Sequence, residues 1–199
     1  MKNHYISRMV LDELSKENGI NFMEYEIEYI ERNTEVIELR KNEYLVHKDD
    51  TFEYLYFLEK GILQCSITEE DEKGKEREFV HRFINRLNMV NGLCDEDSLS
   101  IFDIKALENC KIWRMHKDQV ETLYKTSLNF NLFSRKLYNK ALKRNADREQ
   151  MMRIWDAKKK YVYLMKNESW IILCCPQKSV ASYLDITPQT LSNIRKSVY

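Results

Sequence analysis

Gln177-Lys178-Ser179-Val180-Ala181-Ser182-Tyr183-Leu184-Asp185-Ile186-Thr187-Pro188-Gln189-Thr190-Leu191-Ser192-Asn193-Ile194-Arg195-Lys196 is the stretch whose reading decides the fold. Its pattern is that of two short helices joined across a tight turn. Counted from Gln177, Ala181 is the fifth residue, where two helices cross closely and a small side chain is needed. Val180, Leu184, Ile186, Leu191 and Ile194 fall on the apolar positions that join the helices. Thr187-Pro188 opens the second helix. The Thr hydroxyl can accept from free backbone N–H groups, and Pro at the first helical position loses nothing. Asp185 stands at the turn, where Gly is usual. Asp enters left-handed geometry more readily than most residues, so the turn survives at some cost. A generic amphipathic helix pair is the plainer reading, but it does not require the small residue, the five apolar positions and the cap together.

The reading is therefore a helix-turn-helix with a recognition helix over 187–197. Gln189, Thr190, Ser192, Asn193, Arg195 and Lys196 are expected on its exposed side. Such side chains donate to and accept from base edges and phosphates. Gln189, Asn193 and Arg195 are expected at base edges. Lys178, Thr187, Thr190, Ser192 and Lys196 are expected at phosphates.

Upstream, the patterns separate into a strand-rich part and a helical part. Residues 5–17 and 22–32 read as helices, the first stopped by Gly19. Short apolar runs then recur at 36–39, 44–47, 54–58, 62–67, 76–84, 101–107 and 110–115, with turn signals at Lys60-Gly61 and Lys73-Gly74. This spacing predicts an antiparallel β-roll or barrel. Beyond His116 the chain reads as helical. A short helix surrounds Val120, Leu123 and Tyr124. A long one covers 128–150, with Phe130, Phe133, Leu137, Tyr138, Ala141 and Leu142 as a stripe. Spacings of three and four suit either packing within one chain or a seam between two copies. The expected organisation is α+β: a sensor roll with N-terminal helices over 1–116, a connecting and dimerisation helix over 117–150, and a helix-turn-helix domain over 151–199.

Charge follows the same division. The chain has 199 residues and a formal net charge of zero. Residues 1–115 hold 16 basic and 25 acidic side chains, a net of −9, while residues 116–199 hold 16 and 7, a net of +9. Residues 135–166 alone hold 11 bases and 3 acids. Such asymmetry points to a polyanion partner for the second half, with a solvated dipolar surface as the plainer reading. The chain is apolar enough for a packed core and has no run approaching a membrane span. With no signal-peptide core, a cytoplasmic protein without a membrane partner is expected. Five scattered cysteines make no disulfide framework.

A roll, a long helix and a terminal helix-turn-helix resemble the CRP/FNR family of bacterial transcription regulators. Tyr54-Leu55-Tyr56-Phe57-Leu58-Glu59-Lys60-Gly61 and Glu72-Lys73-Gly74-Lys75-Glu76 look like two of its hairpin segments. The ending is similar to short members common in Bacteroidetes that stop after the recognition helix. The resemblance implies a homodimer paired along 128–150 that reads a near-palindromic operator in double-stranded DNA. It also implies RNA polymerase and an unidentified small-molecule effector as further partners.

The family's cyclic-nucleotide binders use an Arg to hold the cyclic phosphate. The matching stretch, 89–102, contains no Arg and carries Asp95-Glu96-Asp97. A phosphate needs positive charge or several backbone donors, and an acid cluster repels it. Cyclic AMP is therefore not the expected effector. No cofactor or metal is expected: His4, His47, His81 and His116 are isolated, and the first Cys, Cys65, is too late for the family's N-terminal cluster ligands. Burial is the plain reading of Cys174-Cys175, with a redox-sensitive thiol as its rival. The chain lacks the phosphate loop, the Gly-x-Ser-x-Gly elbow and the His-Glu-x-x-His pair, so no enzyme is expected. The stronger rival is an interaction protein whose degenerate sensor and helix-turn-helix no longer read DNA.

Overall fold

The computed structural model describes residues 8–70, 74–90 and 98–198. Two helices, α1 (Arg8–Asn18) and α2 (Glu24–Asn33), precede the strands β1 (Glu35–Leu39), β2 (Tyr44–Val46), β3 (Tyr54–Lys60), β4 (Leu63–Glu70), β5 (Glu76–Ile84), β6 (Asn88–Val90), β7 (Asp103–Ala106) and β8 (Cys110–His116). The helices α3 (Lys117–Thr126), α4 (Leu128–Ile154), α5 (Ala157–Asn167), α6 (Ser169–Cys174), α7 (Gln177–Tyr183) and α8 (Pro188–Val198) follow. The chain divides into two compact units, residues 1–63 with 84–141 and residues 64–83 with 142–199.

In the first unit, one sheet has the order β1-β8-β3-β6. β8 is antiparallel to both neighbours, with Trp113 opposite Val36 on β1 and opposite Phe57 on β3. β2 pairs antiparallel with β7. The turn after β3 needs its glycine. Gly61 has φ +105°, and a Cβ there would lie 2.5 Å from the Cys110 sulfur and 2.9 Å from its Cα. Leu11, Leu14, Phe57, Trp113, Leu123 and Phe133 belong to one buried core. Each large apolar side chain so buried contributes about 1.5–3 kcal/mol before entropy is counted.

The strand at 88–90 falls in a stretch without readable alternation, because three residues are too few to show a period. The long helix runs four residues past its expected end, to Ile154. Its 27 residues span about 40 Å. The apolar stripe splits. Phe130, Phe133 and Leu137 are buried in the core, while Tyr138 and Leu142 are 41% and 64% exposed. Each residue turns the helix by about 100°, so 138 and 142 lie off the line through 130, 133 and 137.

The root of α4 is fastened by Glu26 of α2. Its buried carboxylate accepts from the Ser127 hydroxyl, from Asn129 Nδ2 at 2.9 Å and from the Met23 amide at 2.7 Å. Burial alone would raise its pKa, but these donors together hold it below the usual carboxylate value. The Ser127 hydroxyl in turn accepts from the Phe130 amide, the first turn of α4.

In the second unit, β4 and β5 are hydrogen-bonded neighbours. α5 packs against α6 and α8, and α7 against α6 and α8. Tyr161, Leu164, Ile171, Val180, Leu184 and Leu191 are buried there. Among the described residues no helix is long and apolar enough to cross a membrane.

Candidate nucleic-acid interface

The turn between α7 and α8 closes as a Schellman motif. The Ile186 amide donates to the Ala181 carbonyl and the Asp185 amide to the Ser182 carbonyl, each at 3.0 Å. Asp185 supplies the left-handed residue, with φ +54°. The Leu184 carbonyl is met by Nζ of Lys160, a buried lysine from α5, at 3.4 Å. That cation sits where the end of α7 is most negative.

Ala181 is fully buried, as its position required, and so are Val180, Leu184, Leu191 and Ile194; Ile186 is half-buried. The Thr187 hydroxyl oxygen accepts from the Thr190 amide at 3.0 Å and lies 2.8 Å from the Thr190 hydroxyl. The Thr187 hydroxyl therefore caps α8, and the Thr190 hydroxyl pairs with it.

Leu191 and Ile194 turn one side of α8 inward. Gln189, Ser192, Asn193 and Lys196 follow at spacings of three and four and form the opposite face. Gln189, Asn193 and Lys196 are exposed, and Ser192 is half-buried. Arg195 is half-buried and lies on the flank of this face, because it is one turn beyond the buried Leu191. Lys178 and Thr187 are exposed, and Thr190 is half-buried.

Residues that composition alone does not single out hold the first helix in place. The Ser182 hydroxyl bonds the backbone of β5. Nη2 of Arg148, on α4, donates to the Tyr183 carbonyl at 3.1 Å, and its guanidinium lies 4.8 Å from the Tyr183 ring centroid. Phe83 packs on the same ring at 5.3 Å. Burial, with Glu168 adding to it, pushes the Tyr183 hydroxyl up to about 12, against the pull of Arg148 and Arg144.

Among the described residues no group of three His, Cys, Asp or Glu could hold a metal. Burial pushes the Cys65 and Cys110 thiols up to about 11, away from the reactive thiolate. Cys175, the extended residue that follows α6, is buried as expected, but Cys174, the last residue of α6, is exposed. In the first unit a groove of about 230 Å³ is lined by Phe52, Tyr54, Val90, Val120, Tyr124 and Tyr138 together with Glu53, Lys117 and Glu121. Residues 91–97, which are half of the phosphate-cassette stretch and include Asp95-Glu96-Asp97, lie outside the described residues.

Residues 36–127 match the family model of the cyclic nucleotide-binding domain. The structure is similar to FixK2 from Bradyrhizobium japonicum, at 16% identity over 83% of this chain and 84% of that one, with a TM-score of 0.67. It is similar to a CooA mutant from Carboxydothermus hydrogenoformans, at 15% identity over 89% and 80%, with a TM-score of 0.70. A chain from Eubacterium rectale assigned to the crp/fnr family of transcriptional regulators matches at 14% identity over 88% and 83%, with a TM-score of 0.65. The fold is that of the CRP/FNR regulators. No curated protein matches the sequence significantly. The α+β class, the antiparallel roll, the long helix and the terminal helices expected from the sequence are all features of this CRP/FNR architecture.

Proposed function

We propose that the chain is a DNA-binding transcription regulator, a non-enzymatic homodimer that reads a near-palindromic operator through the recognition helix 187–197. The observation that carries this reading is the closed helix-turn-helix with Gln189, Ser192, Asn193 and Lys196 on one outward face of α8. Burying Leu191 and Ile194 beneath that face fixes it rigidly, as base recognition demands. Exposed bases of the same unit, among them Lys143, Lys158, Lys159, Lys166 and Lys178, supply the sequence-independent attraction to phosphates. The similar structures include regulators, which supports the same reading.

Roles follow the geometry of α8. Gln189 and Asn193 meet base edges, with Lys196 on their face. Arg195, placed at a base edge by its chemistry, is reassigned to the phosphate backbone by its flank position. Lys178, Thr187, Thr190 and Ser192 remain backbone contacts. Two copies pair along α4 through the exposed Tyr138 and Leu142, which sets two recognition helices about one DNA turn apart. RNA polymerase is the partner through which such a regulator acts. Cyclic AMP is not its effector, since the cassette stretch lacks an Arg and carries three consecutive acids; another small molecule and no ligand at all both fit that stretch.

Selection from random duplex DNA tests the reading. The expected result is a two-fold motif held at physiological salt, with affinity falling steeply as salt rises. Weak retention without an enriched motif would favour an interaction protein that has lost DNA recognition.

A further inference from the structure

Leu128, Asn131, Arg135, Tyr138, Leu142 and Asn145 stand at alternating spacings of three and four along one side of α4, and all are exposed. Phe130, Phe133 and Leu137 turn away from this line into the core of the first unit. Such a line is the a/d seam of a helix that pairs with another helix. Only Leu128, Tyr138 and Leu142 in it are apolar. Asn131 is turned back on its own chain, with Nδ2 donating to the Tyr124 and Ser127 carbonyls at 2.7 and 2.8 Å.

The charge at Arg135 is the unusual member. The next position on the line, Glu149, is neutralised along its own helix, where Nη2 of Arg153 lies 2.7 Å from Glu149 Oε1. The neighbouring bases are also occupied: Lys136 and Lys140 donate to Asn18, and Arg144 lies 3.8 Å from Glu168. Arg135 has no such partner among the described residues. Three and four residues from it stand Asn131, Leu132, Tyr138 and Asn139, none of them acidic. The whole stretch 128–146 contains no Asp or Glu, so an identical helix laid beside it offers no carboxylate either.

The orientation of the pair rests on the reading of the chain as a DNA-binding homodimer. Both recognition helices follow α4 in the chain and must reach successive grooves of one duplex. The two copies of α4 therefore run parallel about a two-fold axis, and each seam residue meets its own copy. We propose that Arg135, facing its own copy, is a brake on pairing that keeps the free chain in a monomer–dimer equilibrium, and that the operator completes the dimer. A polar or cationic residue at such a position fixes the register at a cost in stability. Operator occupancy then rises more steeply than in proportion to protein concentration, because binding and pairing are coupled.

The test is sedimentation of the full chain without DNA, beside an operator titration. Arg135 is exposed, so its variants lose no packed side chain. Wild type is expected to dissociate on dilution. Arg135→Gln removes the charge and keeps the polarity, and its dimer is expected to be about threefold tighter, a gap that salt closes by screening. An equal mixture of wild type and Arg135→Glu is expected to form more mixed dimers than the statistical half, because Arg meets Glu only where residue 135 faces residue 135. On the operator, wild type gives a steeper binding curve than Arg135→Leu, which pairs before it binds. An Arg135→Gln dimer no tighter than wild type overturns the proposal, as do mixed dimers at the statistical share. A chain that stays monomeric at every concentration, with and without duplex, overturns the homodimer reading and the proposal with it. Tighter Arg135→Gln dimers from a chain that enriches no duplex motif uphold the self-facing Arg135 and overturn the DNA-binding reading alone.

Discussion

The hydroxyl of Ser182 accepts a hydrogen bond from the backbone amide of Val80 at 2.9 Å and returns one to the Glu78 carbonyl at 2.9 Å. Ser182 belongs to the first helix of the helix-turn-helix, and Val80 to β5, the last strand in its sheet order. An end strand presents unpaired N–H and C=O groups. One serine side chain satisfies a donor and an acceptor of that edge, as a further strand would. Ser182→Ala leaves both without this partner. The expected cost is about 1–3 kcal/mol, read as a lower urea midpoint, with most of the loss recovered by Ser182→Thr. An unchanged midpoint in the alanine variant would show that water replaces the hydroxyl without cost.

Ala181 predicts a different kind of sensitivity. It is fully buried where α7 and α8 pack. A larger side chain forces the helices apart or into poor rotamers. Ala181→Leu is expected to destabilise by about 1–3 kcal/mol and to weaken duplex binding, because α8 loses its fixed angle. The check is an unfolding curve beside an operator titration. A variant of normal stability and affinity would mean that the crossing has room to spare.

These two residues also mark how far the sequence could be read. Ala181, the Thr187 cap and the Asp185 turn were legible because each acts within a few residues along the chain. Their requirements, a missing side chain, a free oxygen and a left-handed φ, are visible in residue type. The role of Ser182 was not legible. Its partners lie more than 100 positions away, and nothing in a serine on an amphipathic helix announces a strand edge. For the same reason the pattern does not show that residues 64–83 join the helical unit. Arg195 is an intermediate case. Its chemistry suggested base reading, whereas its angle from Leu191, calculable from helical geometry, places it on the flank.

His81 on β5 predicts how stability responds to acid. Burial, followed by the nearby Arg148 and Arg82, pushes its pKa down to about 4. In the unfolded chain the imidazole titrates near the usual 6.5. Between those values the unfolded chain binds the proton that the folded chain refuses, so unfolding free energy rises with pH. The histidine is therefore harmless above about pH 6.5, and its penalty grows as pH falls toward 4. Glu26 has a lowered pKa, so its contribution to stability is lost only on further acidification through the carboxylate range. Urea unfolding at pH 7, 6 and 5 should show a falling midpoint that His81→Gln flattens. Equal slopes for the two proteins would assign the acid sensitivity elsewhere.

Arg195 and Gln189 separate positioning from reading in one experiment. Arg195 is half-buried on the flank of α8 and is assigned to the phosphate backbone. A phosphate contact carries no sequence information, but it releases a counterion on binding. Arg195→Ala is therefore expected to weaken the operator and unrelated duplexes by similar factors. Its plot of log affinity against log salt should lose about two units of slope, one for each protomer of the dimer. Gln189→Ala should weaken only the operator and leave the slope intact, because an amide displaces no counterion. The measurement is a salt titration of each variant on both duplexes. An Arg195→Ala protein that loses operator affinity alone, with its salt slope unchanged, would return Arg195 to the base edges and displace the flank assignment.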